Sequence, residues 1–89
     1  MSGLVGQAER AAIARRIDEV LGEESSRSAA RRIGCVNTNV SRWRRNVTMP
    51  DAPSLLAIHR EFGVSIDWLL TGDGEAFPVA ERTPTEDEE

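Results

Sequence analysis

Four glycines set the scale of what this chain can build. Gly22, Gly34, Gly63 and Gly72 each stand just beyond a stretch whose apolar residues recur with helical period. Glycine reaches conformations past a helix end at little steric cost, so each marks a stop. The first helix is predicted over roughly residues 6–21, where Ile13, Ile17, Val20 and Leu21 form one stripe. Arg10, Arg15, Arg16, Asp18 and Glu19 fall largely off it. A second short helix is capped by Ser25 or Ser26, turns Ala29, Ala30 and Ile33 inward, and stops at Gly34. A third covers roughly residues 37–45 on Val40 and Trp43, and a fourth roughly residues 52–62 on Leu55, Ile58 and Phe62. Pro50 and Pro53 break the pattern between them. A short fifth helix is capped by Ser65 and closed by Gly72. No segment alternates with period two for long enough to make a strand. The fold class is therefore all-α, a compact bundle of about five short helices. Its expected core is Ile13, Ile17, Ala30, Ile33, Val40, Trp43, Leu55, Ile58, Phe62 and Leu69.

With 89 residues the chain holds one small domain. We divide it into a flexible N-terminus (1–7), the domain (8–78) and an acidic, disordered tail or linker stub (79–89) reading "VAERTPTEDEE". Several function classes drop out. No apolar run approaches the ~20 residues of a membrane span, and the start lacks the blocks of a signal peptide. One Cys excludes an internal disulfide, and one Cys with one His cannot close a zinc site. We expect a cytoplasmic protein with no metal, no cofactor and no small-molecule substrate.

Charge is split along the chain. Residues 1–50 carry nine Arg against five acids, about +4, and residues 51–89 carry two Arg against ten acids, about −8. Residues 25–50 hold Arg27, Arg31, Arg32, Arg42, Arg44 and Arg45 with no Asp or Glu. Such a window attracts a polyanion even though the net charge is −4.

Within that window lies a spacing with a steric meaning. Two helices meeting at a steep angle need a tight connection and small residues where they touch. Ala30, Gly34, Val40 and Trp43 stand in the order Ala-x3-Gly-x5-Val-x2-Trp, which resembles the helix-turn-helix pattern. "ARRIGCVNTNVSRWRRN" followed by "MPDAPSLLAIHREFGVSIDWLLTGDGE" resembles the DNA-binding domain of phage repressors of the CI type, within the lambda-repressor-like group. The resemblance covers about residues 8–76. It implies a five-helix fold, sequence-specific operator binding, usually as a dimer, and repression of transcription in the bacterial host. The family usually places Ser or Thr at the cap of the third helix, where this chain has Val36. Either that helix starts one residue late, with Asn37 as its cap, or its first amides are satisfied otherwise.

The residue chemistry suits that role. A helix in the major groove offers its N-terminal side chains to base edges, so they must be polar. Asn37, Thr38, Ser41 and Arg42 lie opposite Val40 and Trp43 and are the expected base readers. Asn pairs bidentately with adenine and Arg with guanine. Asn39 and Arg45 flank them. Arg27, Arg31, Arg32 and Arg44 are expected on phosphates, as are Ser26 and the amides at the start of the second helix. Ile66, Trp68, Leu70 and Phe77 put much apolar area on few residues, and we expect them to form a two-fold dimer. That would set two reading helices about 34 Å apart on a palindromic operator.

Plainer readings stand beside these. Trp43 and Trp68 suit packing better than base stacking. Cys35 is read as a small buried thiol, and His59 has no nucleophile to serve. "TGDGE" lacks the Gly-Lys pair of a phosphate loop, and the run Glu86 to Glu89 cannot hold two acids in fixed register. No constellation supports an enzyme. The competing function is a protein-binding module on the same fold, an antitoxin or adaptor.

Overall fold

The computed structural model describes residues 6–78. Five helices follow one another: α1 (Gln7–Leu21), α2 (Ser26–Ile33), α3 (Asn37–Arg44), α4 (Ala52–Phe62) and α5 (Ile66–Thr71). The described residues contain no strand. The expected all-α architecture is what forms. The first helix begins at Gln7, with Gly6 at its N-cap. The N-terminal segment 1–5 and the acidic tail 79–89 lie outside the described residues.

Most helix starts carry a side-chain cap. Ser25 accepts from the Ser28 amide at 3.0 Å, Asp51 from Ser54 at 3.1 Å and Ser65 from Trp68 at 3.2 Å. Each such cap is worth ~1 kcal/mol against alanine. Asp51 was not foreseen, although Asp-Ala-Pro carries its signal: a capping acid, then a proline in the first turn, where no amide is missed. Gly34 closes α2 at φ 93° and ψ 31°, and its amide donates to the Ala30 carbonyl at 2.7 Å. A β-carbon there would meet nothing within 4 Å, so the demand for glycine is conformational rather than spatial.

The core gathers one stripe from each helix. Ile13, Ala14, Ile17 and Leu21 of α1 meet Ala29 and Ala30 of α2, Val40 and Trp43 of α3, Ile58 of α4 and Leu69 of α5. Val64, between α4 and α5, is also fully buried. Burial of each large aliphatic side chain stabilises by ~1.5–3 kcal/mol. Ile33, Leu55 and Phe62, expected in the core, are only partly buried and pack against its edge. The Arg32 guanidinium lies over the ring of Phe62, 4.1 Å from its centroid.

Candidate nucleic-acid interface

Three residues, Gly34 to Val36, join α2 to α3. Ala29 and Ala30 are buried, so the two helices approach closely. On α3, Val40 and Trp43 point into the core and fix its rotation about its own axis. The opposite side then faces solvent. Asn37, Thr38, Asn39 and Arg42 are exposed and Ser41 is half-buried. No partner inside the described chain occupies the side chains of Asn37, Thr38 or Asn39.

The start of α3 resolves the question of its cap. Val36 holds the N-cap position at φ −86° and ψ 148°, with no side-chain bond. Asn37 is helical and its amide group is free. One early amide, that of Asn39, is satisfied by a tight turn onto the Val36 carbonyl at 3.1 Å.

The arginines divide into two sets. Arg27, Arg31 and Arg42 are exposed, and none of them takes part in an ion pair among the described residues. Arg45 is also exposed, with its Nε donating weakly to the Ser41 carbonyl at 3.4 Å. Arg44 and Arg32, expected on phosphates, differ in having partners inside the fold. The Arg44 side chain is only 16% exposed. Its Nε donates to Asp18 at 2.7 Å, Nη2 to the Gly22 carbonyl at 2.8 Å, and Nη1 to the Glu24 carbonyl at 2.9 Å and the Ser26 hydroxyl at 3.3 Å. With four of its five N–H groups committed, it fastens the end of α3 to α1 and to the loop before α2. Arg32 pairs with Glu24 at 2.7 Å and donates to the Glu61 carbonyl at 3.1 Å. Ser26, expected on a phosphate, has its hydroxyl beside Arg44.

Glu24 is the acid at the centre of these contacts. The Ser28 hydroxyl donates to it at 2.6 Å and holds its carboxyl below the ordinary range, with Arg32 and Arg44 acting the same way against partial burial. Asp51 is likewise lowered by its bonds from Ser54. Neither group is singled out from sequence alone, although Ser54 lies only three residues from Asp51 and Ser28 four from Glu24; only the Arg32 and Arg44 contacts to the Glu24 residue come from farther along the chain.

Trp43 is buried, and Trp68 packs against the core. Cys35 is half-buried, and that burial pushes its thiol up, which favours the protonated form at neutral pH. The Nδ1–H of His59 donates to the Val64 carbonyl at 2.8 Å, because a carbonyl can only accept. Among the described residues no group of His, Cys, Asp and Glu could hold a metal ion, and no helix is long and apolar enough to cross a membrane. Of the residues expected at a dimer contact, Ile66 and Trp68 are half-buried, while Leu70 is 42% and Phe77 48% exposed.

Two short helices on a glycine turn, the second with its polar side bare, define a helix-turn-helix domain. The chain belongs to the family of bacteriophage CI repressor helix-turn-helix domains, matched over residues 12–77. Among solved structures it is similar to the phage P22 c2 repressor in complex with synthetic operator 9T. Identity is 28% and the TM-score 0.64, over 68% of this chain and 96% of that one. The solution structure of the DNA-binding domain of the P22 c2 repressor (1-76) is also 28% identical, over 72% of this chain and 83% of that one, with a TM-score of 0.57. The SOS-response transcriptional repressor LexA from Eubacterium rectale covers 97% of both chains at a TM-score of 0.68. At 14% identity that likeness is one of fold alone. No protein of curated function matches.

Proposed function

We propose that this chain is the operator-reading part of a phage CI-type repressor, and that α3 enters the major groove of duplex DNA. The observation that carries the reading is the two-sidedness of α3. Val40 and Trp43 bury one side while Asn37, Thr38, Asn39 and Arg42 stand bare on the other. Arg42 and Asn37 then read base edges, with Thr38 and Ser41 beside them. Arg27, Arg31 and Arg45 meet phosphates, with Asn39 flanking and the amides near Ser26 adding a helix N-terminus. Arg44 is left out of the contact set because four of its five N–H groups are in use, while Arg32, 42% exposed and bonded through two donors, keeps others for a phosphate. Repression follows from occupying the operator, and the family and the operator-bound relative support that outcome.

The test is selection of bound sites from random duplexes by the purified chain at a stated salt concentration. Enrichment of one site whose preference disappears with Arg42→Ala supports the reading. Binding with no enriched site, or with a preference untouched by Arg42→Ala and Asn37→Ala, refutes it. A two-fold dimer through Leu70 and Phe77 completes the proposal and makes the enriched site a palindrome.

A further inference from the structure

Val36 is the side chain at the reading end whose chemistry the free protein leaves unused. It occupies the N-cap of α3 and makes no bond to the helix. It is also 62% exposed, more than Val47, Leu56, Leu70 or Phe77. Those four lie off α3, in the connection to α4, on α4, on α5 and beyond it. The isopropyl group of Val36 therefore neither caps nor packs. Serine or threonine here would satisfy an amide of the first turn. Instead an apolar group stands at the leading tip of the helix, directly before the exposed Asn37, Thr38 and Asn39.

The floor of the major groove has one apolar feature. Every base pair shows hydrogen-bond donors and acceptors there, and only thymine adds a methyl group, at C5. A valine side chain gains nothing from the polar edges and gains burial against that methyl. We propose that Val36 packs on a thymine C5-methyl and so selects a T·A pair beside the bases read by Asn37 and Thr38. The inference rests on α3 being the element that enters the groove. It turns a missing cap into a specificity contact, and it names the base feature contacted. A contact to sugar carbons would instead be indifferent to sequence.

The experiment takes the enriched operator and replaces each thymine in turn by uracil. That change deletes the methyl and keeps every pairing and groove-edge hydrogen-bond group. With the unaltered chain, one position is expected to lose about fourfold in affinity, the worth of one methyl removed from water. With Val36→Ala that loss is expected to vanish at the same position and nowhere else. Alanine caps as poorly as valine and the site is open to solvent, so helix content should be unchanged by circular dichroism. Val36→Ser is expected to melt higher than the unaltered chain, by gaining the cap, and to lose the same discrimination. If Val36→Ala leaves the uracil response intact at every thymine, the inference is wrong while operator reading stands. If Val36→Ala weakens all duplexes alike, the side chain meets the backbone and the inference is again wrong. If no operator is enriched at all, the functional reading and this inference fall together.

Discussion

Replacing Arg44 by alanine separates a structural arginine from a DNA-binding one. Its guanidinium donates to two backbone carbonyls, one hydroxyl and one carboxylate. A hydrogen bond from a charged donor at a partly exposed site is worth roughly 1 kcal/mol net, so the two carbonyls account for ~2 kcal/mol. The Asp18 carboxylate is 58% exposed, which limits that pair to ~0.5 kcal/mol. The expected loss is ~2–3 kcal/mol, a large share of the total for a domain this small. It corresponds to a fall in Tm of roughly 10–20 °C. Urea unfolding measures it: the midpoint should drop while the slope stays constant. Asp18→Ala, which removes only the exposed pair, should cost ~0.5 kcal/mol. Arg44→Lys should fall between, since an ammonium cannot span four acceptors on different segments. The opposite outcome is equally plain. A midpoint unchanged within ~0.5 kcal/mol, together with a salt slope on duplex DNA shallower by about 1, would return Arg44 to a phosphate and refute the reasoning.

Three further outcomes follow from the geometry. Glu24 has its carboxyl held below 4.5, first by Ser28 and then by Arg32 and Arg44, so its contribution to stability is present above about pH 4.5 and fades as pH falls through the folded value. The difference in urea midpoint between the unaltered chain and Glu24→Gln should therefore shrink on acidification, and a constant difference down to about pH 3 would contradict the assignment. Arg31→Ala should weaken binding to all duplexes alike and reduce the salt slope by about 1, whereas Arg42→Ala should flatten sequence preference by ~1–3 kcal/mol at one position; competition titrations at two salt concentrations tell them apart. Phe77→Ser and Leu70→Ser change side chains 48% and 42% exposed, so the monomer should stay folded while sedimentation shifts from dimer to monomer, and a chain already monomeric at high concentration removes the proposed contact.

What the sequence reveals here is what local pattern controls. Ala30, Gly34, Val40 and Trp43 lie within fourteen consecutive positions, and their sizes alone specify a short helix, a turn and a second helix packed across it. The exposed side of α3 follows in part, because placing Val40 and Trp43 inward leaves Thr38 and Arg42 no other direction, while Asn37, one turn before Val40, is exposed at the start of the helix. The intramolecular partners of Arg32 and Arg44 are not legible for the converse reason. The Arg44 partners lie 18 to 26 residues away, and those of Arg32 lie 8 and 29 residues away. An arginine in a basic window looks identical whether it points outward or back into the fold. Val64 escaped notice as a core residue because it belongs to no helix, and periodicity says nothing about a connecting residue. Ile33, Leu55 and Phe62 have apolar spacing but sit at the rim, where a small domain has too little interior to enclose every stripe.

Two attachments to α1 lie only two residues apart. Arg16 donates to the Leu69 carbonyl at 3.0 Å, and its guanidinium fills the space where a side chain on Gly72 would begin, so it grips the end of α5. Asp18 holds Arg44 at the end of α3. The first helix is thus a spindle on which both other elements are mounted at a set angular offset. Each residue added to or removed from a helix turns everything beyond it by about 100°. An insertion between Arg16 and Asp18 would therefore leave each joint chemically intact while swinging α5 out of register with α3.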